Sequence, residues 1–259
     1  MSQENPFNDL ARYYDWEHDT YEDDEAMYLE FARRTGDPVL ELACGSGRIL
    51  APLAIHGFSV VGVDSSAEML EAAAARVRRH GLDDRVALHQ ADMRTLALQR
   101  RFPLAIVALD SFGLLLDPAD QSAALEAVYR HLDPGGLLIL DLSNGNIRGG
   151  EARDELLLQH TGEDPVSGRP LSKWTARSTD FAEQTDYYTY MYDEIQEDQT
   201  VKRWTSQLAL RYFGRFELEL LLRQAGFRIE ALYGSYDLTP FSHVSERLIA
   251  VAARPPGRG

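Results

Sequence analysis

Val39-Leu-Glu-Leu-Ala-Cys-Gly-Ser-Gly-Arg48 is the stretch on which the fold turns. An apolar run at 38–43 reads as a buried strand, and two glycines then bend the chain into a segment with a helical pattern. Gly45 and Gly47 let the backbone turn sharply and come close to a ligand, while the helix that follows presents unpaired N–H groups and the positive end of its dipole. Nineteen residues past Gly45, at the end of the next apolar run (59–63), stands Asp64. A carboxylate there can accept both hydroxyls of a ribose, so the pair of signals implies a nucleotide-like ligand.

Two residues narrow the ligand. A dinucleotide fingerprint wants a third glycine to let helix and strand pack around a pyrophosphate, but position 50 is Leu. Glu41 puts an acid where the pyrophosphate would lie, which disfavours phosphate and suits an ammonium group. The amino-acid end of S-adenosylmethionine carries such a group, and its adenosine end needs Asp64.

Outward from the turn, apolar runs at 38–43, 59–63, 86–90, 103–109 and 136–142 alternate with helical stretches, the rhythm of β-α units around a parallel sheet. The clearest helix spans 67–80, with Ser66 as N-cap and Gly81 just past its end. The rhythm then breaks. Residues 144–170 read as a loop, and 171–179, 185–195 and 201–213 alternate polar and apolar residues as an antiparallel meander. A helix at 214–225 and strands near 227–233 and 247–253 close the chain. The expected fold is α/β, a Rossmann-like doubly wound, mostly parallel seven-stranded sheet with an antiparallel insertion after strand five. Its parts are an aromatic and acidic arm (1–36), a ligand-binding core (37–143), the insertion (144–213) and the last helix and two strands (214–259).

Composition sets limits. With 259 residues, 44% of them hydrophobic, the chain can bury a large core. Its 41 acids against 26 bases give a charge of −15, which repels a phosphate backbone, so no nucleic-acid partner is expected. A single cysteine, Cys44, permits no internal disulfide, and no apolar run is long enough to span a bilayer. A cytoplasmic protein with no membrane partner and no metal is expected, since the seven histidines are scattered. Residues 1–25 hold nine acids and one base, interleaved with Tyr13, Tyr14, Trp16 and Tyr21, so this arm packs on something.

The segment from Val39 to Leu142 resembles the core of a class I S-adenosylmethionine-dependent methyltransferase of the small-molecule type. Glu41 to Gly47 is similar to the family's acidic, glycine-rich first turn, with Ala43 where the family usually has glycine. Asp64 is similar to its ribose acid, Gln90-Ala-Asp-Met93 to its adenine-side loop, and Leu132-Asp-Pro-Gly-Gly136 to the approach to its fifth strand. The resemblance implies S-adenosylmethionine as cofactor and S-adenosylhomocysteine as product. It implies that Asp92 holds the adenine amino group, that Met93 lies beside it, and that Met69, in Ser65-Ser-Ala-Glu-Met69, covers a purine face. Leu109 and Asp110, with Ser111 behind them, border the methyl group, and Tyr14 closes over the methionine end. The plainer alternatives are a core role for Met69 and a stapling role for Tyr13, Tyr14 and Trp16.

Methyl transfer needs a base only if the acceptor arrives protonated. His243, between the last two strands, Asp110 and the acids of the meander are the candidates, His243 first. Tyr188, Tyr190 and Tyr192 share one face of the meander, and Trp204, Leu208, Leu210 and Tyr212 continue it. With His243 they form the expected acceptor platform, a dimer contact being the other use for such a face. The expected reaction is methylation of a small-molecule amine in preference to an oxygen acceptor. A cofactor-sensing domain and a nicotinamide-dependent oxidoreductase are the alternatives.

Overall fold

The computed structural model describes residues 6–145 and 155–256. The strands β1 (Val39–Leu42), β2 (Val60–Asp64), β3 (Val86–Gln90), β4 (Phe102–Val107), β5 (Leu132–Ser143), β10 (Arg228–Tyr233) and β11 (Arg247–Ala253) make one sheet in the order β10-β11-β5-β4-β1-β2-β3. All neighbours pair parallel except those of β11, which runs antiparallel to both β10 and β5. β1 and β2 are buried throughout, which is why they read as unbroken apolar runs.

Helices cover both faces. α5 (Pro118–His131) and α6 (Arg215–Gln224) close one core, with Leu125, Val128, Leu218 and Leu222. α2 (Glu25–Thr35), α3 (Leu50–Ile55) and α4 (Ala67–Arg79) close the other, with Tyr28, Phe31, Leu53 and Val77. Ser66 caps α4 by accepting from the Met69 N–H, as expected from the sequence. The strand order reverses between β1 and β4, and a crevice opens there beyond the carboxyl ends of the strands.

The insertion is a four-stranded antiparallel sheet in the order β6 (Glu155–Glu163), β7 (Pro170–Asp180), β8 (Thr185–Ile195), β9 (Val201–Arg211). β6 corrects the expectation of a loop over 144–170; residues 146–154 of that stretch lie outside the described residues. It is an edge strand with a register shift between Leu158 and His160, and Leu156, Leu157 and Leu158 are all exposed. With neither face buried, the alternation that betrays a strand has no cause to appear. The arm packs, as its aromatics led one to expect: α1 (Pro6–His18) docks on the insertion and α2 belongs to the core.

Candidate active site

The chain leaves β1 through Ala43, Gly45 and Gly47, all left-handed with φ of 51°, 53° and 85°. At Ala43 the β-carbon makes that conformation cost about 1–2 kcal/mol. The Gly45 N–H donates to Asp64 Oδ2 at 2.8 Å and the Ser66 N–H to Oδ1 at 2.9 Å, so the carboxylate is aimed at the turn in advance. With the Ser65 amide as a third donor, the four lone-pair sites of the carboxylate keep one for a ribose hydroxyl. Burial raises the Asp64 pKa, and the amide donors partly counter it. Ser65 is exposed at the rim.

Glu41 is 3% exposed, and its Oε2 meets no donor among the described residues. Burial pushes its pKa up to about 8, with Arg48 as the opposing influence. Arg48 cannot neutralise it fully because its guanidinium is committed elsewhere, to Asp24 at 2.7 and 2.6 Å and to the Tyr21 carbonyl at 3.0 Å. An orphaned, buried carboxyl oxygen beside a glycine turn is the complement of an ammonium group. Glu41 for the amino group and Asp64 for the ribose therefore fit S-adenosylmethionine.

α1 separates its two adjacent tyrosines. Tyr13 stacks on Tyr192 of β8, centroids 4.1 Å apart and planes 11° from parallel, and so staples the arm. Tyr14 turns the other way, with its ring edge 3.8 Å from where a β-carbon on Gly45 would stand. Burial raises the Tyr14 pKa to about 12, Arg48 opposing and Glu41 and Asp64 adding to the rise; the phenol therefore faces the turn uncharged. Beneath it His18 stacks on the Tyr14 ring, centroids 4.3 Å apart.

At the end of β4, Leu109 and Asp110 are both left-handed, φ 45° and 61°. Such consecutive strain persists only where surroundings over-determine it, and here they do. The Leu109 N–H donates to Asp141 Oδ2 and the Asp110 N–H to the Asp141 carbonyl. Asp141 Oδ2 also accepts from the hydroxyls of Tyr28 and Tyr236, and Arg247 donates to Oδ1 at 2.8 and 2.6 Å. Asp110 itself accepts from the Ser143 N–H, the Ser143 hydroxyl and Arg247. Asp110, one of the candidate bases, is thus a tethered carboxylate. Sequence reasoning missed Asp141, Arg247, Asp24 and His18; the one available signal was an acid inside the apolar run Leu137–Leu142.

Of the other expected residues, His243 is exposed on the β10–β11 loop and no described side chain holds it, so nothing orients it as a base. Asp92 is latched by Arg94, whose guanidinium reaches both carboxylate oxygens at 2.5 to 2.9 Å and lowers its pKa. Met93 packs against the α5 side of the core. Met69 is buried at 1% exposure, as the core alternative has it. Ser111 opens a single 3₁₀ turn, Ser111–Leu114, that touches β9. Tyr188 and Tyr190 stack at 5.8 Å, Tyr190 within electrostatic reach of Asp110 and Glu17. Tyr212 lies beyond β9 with its ring near Gly145. The Tyr192 and Trp204 end of this face is covered by α1, which removes that end from any dimer contact. A groove of about 480 Å³ lined by Thr95, Leu98, Arg101 and His131 lies at the amino ends of β4 and β5. No metal-ligating cluster occurs among the described residues, and no described helix is long and apolar enough to cross a membrane.

Comparison with known proteins bears on this geometry. Residues 39–136 match a family described as a methyltransferase domain. The chain is 27% identical over 224 residues to the cypemycin N-terminal methyltransferase of a Streptomyces species, covering 85% of this chain and 84% of that one. It is 37% identical over 103 residues to the dTDP-3-amino-3,6-dideoxy-alpha-D-glucopyranose N,N-dimethyltransferase of Streptomyces fradiae, but over only 40% of this chain and 38% of that one. The solved CcbJ methyltransferase from Streptomyces caelestis shares the fold with a TM-score of 0.83 at 23% identity, covering 97% and 98% of the two chains.

Proposed function

Because residues 39–136 are the catalytic domain of a class I, S-adenosylmethionine-dependent methyltransferase, we propose that the chain methylates the nitrogen of a small-molecule amine. The observation that carries the acceptor class is the aromatic wall that the insertion sets near Asp110. There Tyr188 and Tyr190 stack, Tyr190 has the Asp110 and Glu17 carboxylates in reach, and the Lys173 ammonium already sits 4.2 Å from the Tyr190 ring centre. Such a wall favours cations through its ring faces, the Glu17 and Asp110 carboxylates being paired with Lys173 and Arg247. The relatives named as an N-terminal methyltransferase and an N,N-dimethyltransferase support the same class.

S-adenosylmethionine, when bound, supplies a methyl group activated by a sulfonium. The chain's own residues therefore need only seat the amine in line, keep water out and dispose of its proton. Glu41 holds the amino end, Asp64 the ribose, Tyr14 closes the turn, and Leu109 and Asp110 form the floor of the crevice. The test is incubation with methyl-labelled S-adenosylmethionine and a panel of amines and phenols, read by mass spectrometry. Labelled amines are expected; label on phenols alone overturns the acceptor class.

A further inference from the structure

An amine acceptor enters protonated at neutral pH, and the two residues expected to relieve it of its proton are poorly placed to do so. Asp110 is tethered by Ser143 and Arg247, and His243 is held by no described side chain. His18 is well placed. It stands on the last turn of α1, with its imidazole stacked 19° from parallel on Tyr14 and Lys173 of the insertion within electrostatic reach. Its Nδ1 lies 2.9 Å from the Tyr14 carbonyl oxygen, an acceptor only, so Nδ1 carries the hydrogen of the neutral ring. That leaves the lone pair on Nε2, and no described residue hydrogen-bonds to it.

We propose that His18 Nε2 is the general base that deprotonates the acceptor ammonium. The acceptor N–H bond breaks and an Nε2–H bond forms. The amine keeps the electron pair with which it takes the methyl group, and the imidazolium later returns its proton to solvent. The charged groups facing the ring are Glu17 on its own helix, Lys173 from β7 and Arg48 from beyond the turn. Glu17 is shared by Lys173 Nζ and the Tyr192 hydroxyl, so its charge is offset before it reaches the imidazole. Burial, the largest influence, pushes the His18 pKa below the ordinary 6.5, against the pull of the Tyr14 carbonyl. The ring is thus neutral, and ready to accept, at pH 7.

This inference rests on the amine reading, and its test separates the two. With an amine that the labelling panel shows to be methylated, kcat is measured from pH 5 to 10 for the wild type, His18→Gln and His18→Ala. The wild type should reach its plateau below pH 7. Both variants should lose on the order of 10²-fold at pH 7, regain rate as pH climbs toward the amine's own pKa, and, for His18→Ala, respond to added imidazole. Gln conserves the bulk and can donate to the Tyr14 carbonyl. Independently of turnover, nitrogen-15 NMR of the wild-type protein should show His18 with its proton on Nδ1 and a bare Nε2 at pH 7. An unshifted pH profile in both variants, or an Nε2–H tautomer, overturns the role of His18 while leaving amine methylation intact. A panel with no methylated amine overturns both.

Discussion

Glu41 puts the largest electrostatic stress on a single residue of the site. Unfolded, its carboxyl ionises near 4.5; folded, burial holds the proton to about pH 8. Across that window folding takes up a proton, so the carboxyl costs stability at pH 7. Glu41→Gln should therefore raise the Tm of the ligand-free protein while weakening its hold on S-adenosylmethionine. The same proton must leave when an ammonium binds. Affinity should fall about tenfold for each pH unit below 8, with proton release detectable by calorimetry in buffers of different ionisation enthalpy. A dissociation constant flat from pH 6 to 8 would remove Glu41 from the cofactor site. Ala43 offers a second check, because glycine relieves its left-handed strain of about 1–2 kcal/mol but adds unfolded-state entropy of about 0.4–1 kcal/mol. Ala43→Gly should gain roughly 0.5–1 kcal/mol in urea unfolding. The glycine turn and its link to Asp64 were legible because both lie within one β-α-β unit. The tether on Asp110 was not, since Ser143 and Arg247 lie 33 and 137 residues away along the chain.

Between elements, the joint that matters most is the seat of α1 on the insertion. Tyr13 stacks on Tyr192, and the Glu17 carboxylate, 9% exposed, takes both Lys173 and the Tyr192 hydroxyl. Removing one partner strands a buried charge, at a cost of about 3 kcal/mol. Lys173→Met should accordingly speed hydrogen exchange along α1 and weaken cofactor binding through Tyr14, leaving the amides of β1, β4 and β5 protected. Equal exchange in α1 and those strands would show that the helix is no separate unit. The periodicity of β1, β2 and α4 announced them, because each has a face or a whole length in a core. β6 stayed hidden because it is an exposed edge, whereas the packing of the arm was announced by its interleaved aromatics and only its seat on the insertion was not.

At the scale of the whole molecule, the insertion leaves the main sheet after β5 and returns at Phe213, which bridges Asn144. Entry and exit lie side by side, so replacing residues 146–211 with a short Gly/Ser loop should leave the seven-stranded sheet folded and still able to bind S-adenosylmethionine, more weakly because α1 loses its seat. Amine methylation should be abolished. Retained turnover would place the acceptor elsewhere than on the Tyr188 and Tyr190 wall. The amino-acid order alone determined the main sheet and the glycine turn with Asp64 behind it, because those follow from burial periodicity and from contacts within one β-α unit. Tertiary structure decided which carboxylates stay free, which tyrosine faces the turn and which histidine lies beneath it. Those outcomes depend on the hydrogen-bond and ion-pair partners that distant segments bring, and spacing along a chain carries no record of them.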